Sequence, residues 1–222
     1  MITVSNITKS FTRNSGKFSA INNVSLHVNS GEIIALTGHS GSGKTTLLNI
    51  IAGLLNADQG KIIIGNVDFT ALSEKDKIRF RNEKIGYALQ GDSLLPNFKI
   101  IDNICMPSYL SENPADCSER ASMLLNMVGL SDLAEEYPAN LSGGEMRRAA
   151  IARAFINDPV LVLADEPTSN LDPDNAHVIM KMLRDLSSNG AAVIFSTHEM
   201  EYLNYADRQI VLDHGSITQP TK

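Results

Sequence analysis

The strongest constraint on the fold is a glycine-rich run that stands between an apolar segment and a helical segment. It reads Gly38-His39-Ser40-Gly41-Ser42-Gly43-Lys44-Thr45 and matches the pattern G-x-x-x-x-G-K-[S/T] in full. The preceding segment, residues 32–36, begins with Glu32 and is otherwise apolar, as in a central strand. Residues 44–54, which follow, are predicted to form a helix. A strand, a tight loop and a helix in immediate succession favour an α/β fold.

Each residue type in this run has a use in binding phosphate. Glycines let the backbone turn tightly, so that consecutive N–H groups and the positive end of the following helix face phosphate oxygens. Lys44 is expected to reach the β- and γ-phosphates of a nucleoside triphosphate, and the Thr45 hydroxyl to ligate Mg²⁺. The predicted nucleotide-binding residues of the loop are Gly38, His39, Ser40, Gly41, Ser42, Gly43, Lys44, Thr45 and Thr46. His39 is interpreted as a residue that the loop tolerates rather than one that the chemistry requires.

Apolar runs elsewhere in the chain predict further strands of the same sheet. Residues 160–164, 191–195 and 210–212 are too apolar for a sheet with one wet face, so they fit a parallel sheet covered on both sides. Asp172 followed by Pro173 is a favourable helix start between the first two runs. The core-facing side chains of that helix are predicted to be Ile179, Met182, Leu183 and Leu186.

Two other parts of the chain have a different pattern of apolar and polar residues. Residues 24–28 alternate between apolar and polar, as in a half-buried strand, and Gly65-Asn66 fits a hairpin turn between residues 62–64 and 67–69. Residues 92–140 are predicted to be helical. The apolar positions at helical spacing there are Cys117, Ala121, Leu124, Leu125 and Val128, and the prolines expected to mark helix boundaries are Pro107, Pro114 and Pro138.

Composition limits the classes of protein that remain. No apolar run approaches the roughly 20 residues of a membrane-spanning helix, and no secretory leader opens the chain. The net charge of −6 argues against nucleic-acid binding, and the Arg147-Arg148 pair is interpreted as part of a solvated helix face or an interface. Cys105 and Cys117 form no C-x-x-C pair and are expected to be ordinary thiols in a reducing compartment. We therefore expect a soluble cytoplasmic protein.

Polar residues follow two of the predicted buried strands. Ligand crevices of parallel sheets lie beyond the carboxyl ends of the strands. Asp165 at the end of residues 160–164 is costly to desolvate unless it is paired or metal-bound, so it is predicted to be a magnesium partner opposite Thr45. Glu166 is placed to orient or deprotonate the attacking water, with a structural ion pair as the alternative. His198, which follows residues 191–195, is expected to meet the γ-phosphate.

Further motifs identify a family. Leu141-Ser142-Gly143-Gly144-Glu145 resembles the LSGGQ signature of the ATP-binding cassette (ABC) proteins. The segment ending at Gln90 resembles the Q-loop of that family, and Ser169-Asn170-Leu171-Asp172 resembles its D-loop. Phe11 stands where the adenine-stacking aromatic of the family lies. These motifs occur in the order and spacing of the family, and the resemblance covers nearly the whole chain.

The resemblance implies a P-loop NTPase of the α/β class. Its core has a mostly parallel sheet, and the core is joined by an N-terminal antiparallel β subdomain and an inserted α-helical subdomain. A single domain then spans residues 1–222, with the core at about 1–91 and 141–222 and the helical subdomain at about 92–140.

The resemblance also implies a head-to-tail homodimer around two molecules of ATP with Mg²⁺. Each nucleotide is then held by the 38–46 loop of one chain and by Ser142-Gly143-Gly144 of the other. This agrees with the residues themselves, because a helix that starts at Ser142 exposes N–H groups and a positive end to an anion. Gln90 is implied to join the Mg²⁺ and the attacking water to the helical subdomain, and Asp172 to belong to the nucleotide site.

The chain departs from the family pattern at two positions. Glu145 replaces the commoner Gln, and it forms a capping box with Ser142 or contacts the nucleotide directly. Phe11 replaces the usual Tyr, which keeps the stacking surface and loses the hydroxyl.

A nucleotide-driven dimer is useful only if its closure moves something else. The resemblance implies a separate membrane permease, contacted through residues 92–140 and the Q-loop, and hence a peripheral location at the cytoplasmic face of the membrane. Three further segments resemble the branch that serves macrolide exporters, lipoprotein-release complexes and peptide-resistance systems. They are Arg79-Phe80-Arg81 with residues 85–87, Leu94-Leu95-Pro96, and residues 101–104.

Two other functions are alternatives to the transporter subunit. One is a soluble ABC ATPase without a permease. Repair ATPases of the family carry long coiled-coil insertions and ribosome-acting members carry two cassettes, and neither fits 222 residues, so iron–sulfur assembly stays open. The other is a kinase or small GTPase. That function lacks a guanine-specificity motif and does not explain residues 142–145.

Overall fold

The computed structural model describes residues 1–13, 16–89, 94–112 and 116–220, which form two β-sheets flanked by helices. The strands are β1 (Ile2–Arg13), β2 (Gly16–Val28), β3 (Ile33–Thr37), β4 (Gln59–Ile64), β5 (Val67–Asp68), β6 (Ile85–Ala88), β7 (Leu161–Ala164), β8 (Ala192–Ser196), β9 (Arg208–Asp213) and β10 (Ser216–Pro220). The α-helices are α1 (Lys44–Ile51), α2 (Glu74–Lys84), α3 (Ile100–Tyr109), α4 (Ser118–Met127), α5 (Gly143–Arg153) and α6 (Pro173–Ser188). Across these described ranges, no helix is both long and apolar enough to cross a membrane.

The larger sheet has the strand order β10-β9-β3-β8-β7-β6. All neighbouring strands in it are parallel except β9 and β10, which are antiparallel. The strand β8 therefore lies between β3 and β7, and the carboxyl ends of all three reach the same edge of the sheet. This confirms the predicted, mostly parallel α/β core and places the ends of the motif-bearing strands side by side.

The smaller sheet is antiparallel, with the order β2-β1-β4-β5. The alternation predicted for residues 24–28 is present in β2, where Val24, Leu26 and Val28 are buried. Gly65 has φ +61° in the turn between β4 and β5, as a tight hairpin requires.

Both faces of the larger sheet are covered, which explains its continuously apolar strands. In β3, Ile34 and Leu36 join the core that packs against α1 and the smaller sheet. Ile33 and Ala35 point the other way, into the core formed with α3, α4, α5 and α6. Successive side chains of a strand alternate between faces, so a sheet buried on both sides needs apolar residues at every position.

Helix α1 is shorter than predicted and ends at Ile51 instead of residue 54. Gly53 follows with φ +67°, in the left-handed region that terminates helices, and its N–H donates to the Ile50 carbonyl over 3.0 Å. A Cβ at Gly53 would lie 2.5 Å from the Phe69 ring, so this close approach also requires glycine.

One of the predicted proline boundaries is wrong. Pro107 lies inside α3, which continues to Tyr109. The proline stands in the last turn, where only a single intrahelical hydrogen bond is lost, and its carbonyl accepts a hydrogen bond from Asn82 Nδ2 over 2.8 Å. Pro114 lies outside the described residues.

The expectation of two ordinary thiols is also corrected. Cys105 in α3 and Cys117 before α4 form a disulfide, and both residues are buried. Their separation of 12 residues matches no local cysteine motif, and only the packing of α3 against α4 brings the two together. The pair ties these two helices covalently.

Candidate nucleotide-binding site

A cleft of about 780 Å³ lies where β1, β2, the glycine-rich loop and the turn between β9 and β10 meet. The residues predicted for the site that line this cleft are Phe11, Ser40, Gly41, Gly43, Lys44, Thr45, Thr46 and Glu166. The lining residues that sequence reasoning missed are Thr12, Phe18, Ser19, Ala20, His214 and Gly215. Most of these residues lie in the hairpin of β1 and β2. Which residues of the two strands face each other cannot be predicted from the sequence unless the turn that joins the strands is known.

The aromatic side of the cleft has two rings instead of one. Phe11 in β1 pairs with Phe18 in β2, and their ring centroids are 5.8 Å apart with an interplanar angle of 28°. Lys9 Nζ lies 5.7 Å from the centre of the Phe11 ring. A flat, partly exposed aromatic surface of this kind suits stacking by a nucleotide base.

The loop has the conformation that its glycines predict. Gly38 and Gly43 have φ of +147° and +109°. A Cβ at Gly38 would lie 2.1 Å from the Leu212 carbonyl oxygen, and one at Gly43 would lie 2.7 Å from the Ala20 carbonyl oxygen. Gly43 is also the N-cap of α1, and no side chain of the described residues caps that helix. Its first N–H groups are therefore available to an anion.

Two polar side chains of the loop are buried. Lys44 is buried, and its Nζ donates to the carbonyl oxygens of Gly38 over 2.8 Å and of His39 over 3.2 Å. Ser42 Oγ is buried and has no hydrogen-bond partner among the residues that the structure describes. A buried hydroxyl without a partner is costly, so the loop suits a ligand with acceptor oxygens.

The buried carboxylate at the end of β7 is half satisfied. Asp165 is 1% exposed, and its Oδ1 accepts a hydrogen bond from Ser196 Oγ over 2.6 Å. Its Oδ2 has no partner within the described part of the chain. A carboxylate oxygen left bare in the interior calls for a cation, so Asp165 fits the role of a Mg²⁺ ligand.

Tyr87 in β6 lies near this carboxylate. Burial raises the pKa of Tyr87, and the negative charge of Asp165 raises it further. The phenol therefore stays protonated, and its hydroxyl donates to Asn49 Oδ1 over 2.9 Å.

Glu166 after β7 and His198 after β8 lie next to each other. His198 Nδ1 lies 3.6 Å from Glu166 Oε1. The backbone of Glu166 has φ +47°, which is uncommon for a residue with a side chain. Its N–H donates to Ser196 Oγ over 2.8 Å, and this bond holds the unusual conformation. Ser196 therefore contacts both acidic residues, a role that no sequence motif indicated.

Arg147 does not lie on a solvated helix face, which was one of the two interpretations of the Arg147-Arg148 pair. It is 7% exposed, and its guanidinium Nη2 donates to the carbonyl oxygens of Asp165 and Glu166, each over 2.7 Å. Its other nitrogens donate to the carbonyls of Leu89 and Pro167. A buried guanidinium is tolerated because backbone oxygens satisfy its donors. Arg147 fastens α5 to the strand ends that carry the acidic residues.

The signature-like segment lies at the start of α5 and does not line the cleft of its own chain. Ser142 and Glu145 form the predicted capping box: Ser142 Oγ accepts from the Glu145 N–H over 3.3 Å, and Glu145 Oε2 accepts from the Ser142 N–H over 2.7 Å. Hydrogen bonds from the Ser142 hydroxyl, and then from its backbone N–H, lower the pKa of Glu145. Glu145 therefore has a structural role at this helix start.

The two glycines of this segment differ in their surroundings. A Cβ on Gly144 would lie 3.3 Å from Leu171 Cδ2, so α5 packs closely against the D-loop-like segment. A Cβ on Gly143 would meet nothing within 4 Å in the described residues. Asp172 caps α6 as predicted, with Oδ1 accepting from the Asn175 N–H over 3.0 Å, and it too does not line the cleft. Gln90 lies outside the described residues, so its assignment stays a prediction.

The geometry defines the class of the protein. A phosphate-binding loop follows β3, an acidic pair follows β7, and the intervening strand β8 supplies the serine that positions that pair. This is the nucleotide site of a P-loop NTPase, located beyond the carboxyl ends of parallel strands.

Comparisons with known proteins refine this class. Residues 21–169 match the ABC transporter family. The chain is 38% identical, over all 222 of its residues, to the macrolide export ATP-binding/permease protein MacB of Chlorobaculum tepidum, of which it spans about a third (34%). It is also 38% identical over 213 residues, 95% of this chain and 83% of the other, to the lipoprotein-releasing system ATP-binding protein LolD of Colwellia psychrerythraea.

A solved structure shares the whole architecture. The ATP-binding cassette MJ0796, a dimer in a post-hydrolysis state with ADP and Pi, superposes with a TM-score of 0.93. It is 33% identical in sequence, and the match covers 99% of this chain and 97% of that one. The chain therefore belongs to the ABC transporter family, and it is an ATPase domain of the MacB/LolD type.

Proposed function

We propose that this chain is the nucleotide-binding subunit of an ABC transporter, which closes as a head-to-tail homodimer over two ATP molecules with Mg²⁺. One observation carries this proposal. The start of α1 lines the nucleotide cleft, whereas the signature segment, at the N-terminus of α5, lies outside the lining of that cleft. The positive end of α5 makes this segment a candidate to contact an anion. A second chain that turns its α5 toward the cleft would complete the site. The dimeric state of the related cassette supports this arrangement.

Within one cleft, the residues have distinct tasks. Phe11 and Phe18 stack on the base, while the loop N–H groups and Lys44 hold the β- and γ-phosphates. Thr45 and Asp165, with Gln90, would hold Mg²⁺, which when bound neutralises charge on the phosphate oxygens. The free Oδ2 of Asp165 supports this assignment.

Hydrolysis is assigned to the pair at the strand ends. Glu166 takes a proton from the attacking water, whose oxygen then bonds to the γ-phosphorus as the bond to the β–γ bridging oxygen breaks. We assign to His198, whose Nδ1 lies 3.6 Å from Glu166 Oε1, the contact with the γ-phosphate and the orientation of the reacting groups. ADP and phosphate are the products, and loss of the γ-phosphate removes the contact that joins the two chains.

We assign the permease contact to a groove of about 560 Å³ beside α2, β6 and α3. Its wall includes Ile78 and Leu110, which are 58% and 71% exposed, next to the polar side chains Lys75, Arg79 and Glu83. An apolar floor with a charged rim suits an amphipathic helix of a membrane protein. This groove borders the helical subdomain, whose boundaries at about 92 and 140 remain a prediction. A permease bound there would hold the chain at the cytoplasmic face of the membrane.

The sequence relatives suggest the kind of work that is done. MacB is named for macrolide export and LolD for lipoprotein release, so we propose export, release or resistance involving drugs, lipoproteins or envelope-active peptides.

The test is the substitution Glu166→Gln. The amide cannot take the proton of the attacking water but preserves the size of the side chain, so ATP hydrolysis should fall by at least about 100-fold while ATP binding is retained. With ATP and Mg²⁺ the variant should accumulate as a dimer, measured by sedimentation velocity. A variant that stays monomeric with saturating ATP, or that hydrolyses ATP at the parental rate, would contradict the proposal. Co-purification with a multi-span membrane protein tests the permease assignment separately.

A further inference from the structure

Three possible metal ligands meet at the rim of the cleft. They are distinct from Asp165 and Glu166, the acidic pair that follows β7. His39 of the glycine-rich loop, Asp213 at the end of β9 and His214 in the following turn place their ligand atoms within 4.8 Å of one another. His39 Nε2 lies 3.0 Å from Asp213 Oδ1, and His214 Nε2 lies 3.8 Å from the same oxygen. We call these three residues the rim cluster.

The hydrogen bonds of His39 fix which ring nitrogen is free. His39 Nδ1 lies 2.6 Å from the Ser40 carbonyl oxygen, which can only accept, so Nδ1 carries the proton. Nε2 then faces the Asp213 carboxylate, 3.0 Å from Oδ1. This nitrogen and this oxygen are both potential metal ligands, so a cation between them would be attracted by both.

The same arrangement is typical of histidines that bind metal ions. A ligating histidine usually donates its second ring N–H to a carbonyl or a carboxylate, which fixes the tautomer and the ring orientation. The rim cluster adds a second imidazole, with the ring centroids of His39 and His214 5.1 Å apart. Two imidazolium rings this close would repel, whereas one divalent ion would attract both neutral rings and the carboxylate.

The backbone holds the rim cluster in place. The Ser42 N–H donates to the His39 carbonyl over 3.1 Å, and the Gly215 N–H donates to the Ser42 carbonyl over 2.9 Å. The turn that carries His214 is thus bonded directly to the loop that carries His39. His214 itself has φ +45°, a conformation fixed by this turn. The two chain segments that carry the ligands are therefore joined by backbone bonds that do not depend on the metal.

We propose that the rim cluster binds a divalent transition-metal ion of the zinc class, in a site separate from that of the nucleotide magnesium. Two imidazoles and one carboxylate suit zinc, whereas Mg²⁺ prefers oxygen ligands throughout. Around a tetrahedral Zn²⁺ with ligands at 2.0–2.1 Å, neighbouring ligand atoms lie about 3.3 Å apart. The separations of 3.0 and 3.8 Å lie on either side of that value, so small side-chain rotations suffice.

The ion would join two parts of the nucleotide cleft. Ser40, His214 and Gly215 line the cleft, and the metal would connect the glycine-rich loop to the turn between β9 and β10 across the backbone bond of Gly215. Because binding requires the folded arrangement, the metal should raise the melting temperature of the nucleotide-free protein.

The experiment is a calorimetric titration of the nucleotide-free, disulfide-intact protein with ZnCl₂ in the absence of Mg²⁺. We expect one ion per chain and an affinity that falls by at least about tenfold in His214→Asn. Asparagine tolerates positive φ, so this variant keeps the turn while losing the imidazole. Asp213→Asn should weaken binding comparably. Substitution of Co²⁺ for Zn²⁺ should give the visible absorption bands of a tetrahedral site with nitrogen ligands.

His27→Gln is the matched control. His27 lies in the smaller sheet, where its two ring nitrogens contact Thr3 Oγ1 and Asn29 Oδ1. Its replacement should leave zinc affinity and the cobalt spectrum unchanged. Absence of zinc binding would overturn the proposal and leave a proton shared between His39 and Asp213. Binding that is equally strong in His214→Asn would overturn it as well.

Discussion

Ser196 holds both acidic residues of the site with a single hydroxyl. Its Oγ donates to Asp165 Oδ1 over 2.6 Å and accepts from the Glu166 N–H over 2.8 Å. The first bond uses one oxygen of Asp165 and leaves Oδ2 without a partner among the described residues, and the second is made by the N–H of Glu166, whose backbone is left-handed. Ser196 is a positioning residue, since it acts through these two neighbours.

We expect Ser196→Ala to lower kcat for ATP hydrolysis by about 10- to 100-fold, because the metal ligand and the residue that takes the proton from water both lose an orienting bond. The dissociation constant for ATP should change by much less, since the phosphate-binding loop is untouched. Steady-state kinetics and calorimetry would separate the two effects.

Ser187→Ala provides the comparison. Ser187 is also buried, but its hydroxyl donates only to the Arg184 carbonyl within α6. Equal losses of activity in the two variants would indicate a general effect of removing a buried hydroxyl and would contradict the positioning role of Ser196.

At the scale of elements, the start of α5 combines a capping box with an exposed glycine. Ser142 and Glu145 satisfy each other's backbone N–H groups, and these bonds hold the pKa of Glu145 below its ordinary value. A carboxylate whose pKa is lowered by folding adds stability above its unfolded pKa, and this stability is lost as the pH falls through the folded pKa.

The free energy of unfolding should therefore respond to Glu145→Gln in a pH-dependent way. At about pH 7 the variant should be less stable by about 0.5 kcal/mol, because a neutral amide interacts more weakly with the helix N-terminus. At a pH below the lowered pKa of Glu145, where the wild-type carboxyl is protonated, the difference should vanish. Urea unfolding at the two pH values measures both.

Glu119→Gln removes a carboxylate from the first turn of α4, where the N-cap residue Cys117 makes no side-chain capping bond, and serves as the control. A Glu145→Gln difference that is the same at both pH values would contradict the capping assignment.

The sequence predicted those features that depend only on residues close together along the chain. The loop from Gly38, the acidic pair after β7 and the capping boxes all depend on neighbours within a few positions. The role of Ser196 required the knowledge that β8 lies between β3 and β7. Arg147 had the composition of a surface residue, and only the folded chain shows the four carbonyls that compensate its burial. The Cys105–Cys117 pair likewise depends on helix packing.

At the scale of the whole molecule, Gly143 points to the surface that a second copy would cover. Within the described chain, a Cβ at this position would have no other atom within 4 Å, so the fold itself does not require glycine there. In the proposed dimer, the N–H groups at this helix start approach the γ-phosphate held by the other chain.

Gly143→Asp, combined with Glu166→Gln, should bind ATP with nearly unchanged affinity and yet fail to dimerise. An aspartate in the first turn is favourable for the helix itself, but its negative charge would face the phosphates of the opposite cleft. Sedimentation velocity with ATP and Mg²⁺ tests dimerisation, and calorimetry tests binding.

Ser118→Asp, at the exposed first position of α4, adds the same charge to another helix start and should leave the dimer intact. Normal dimerisation of the Gly143→Asp variant would place the partner surface elsewhere.

The position of Arg147 has a consequence for the timing of the proposed cycle. Its guanidinium donates to the backbone of Asp165 and Glu166, and the helix that carries it begins at the segment that would contact the other nucleotide in the proposed dimer. A shift of the residues after β7 on hydrolysis at one site would then reach the second nucleotide through α5. The two sites of the proposed dimer are therefore expected to be coupled.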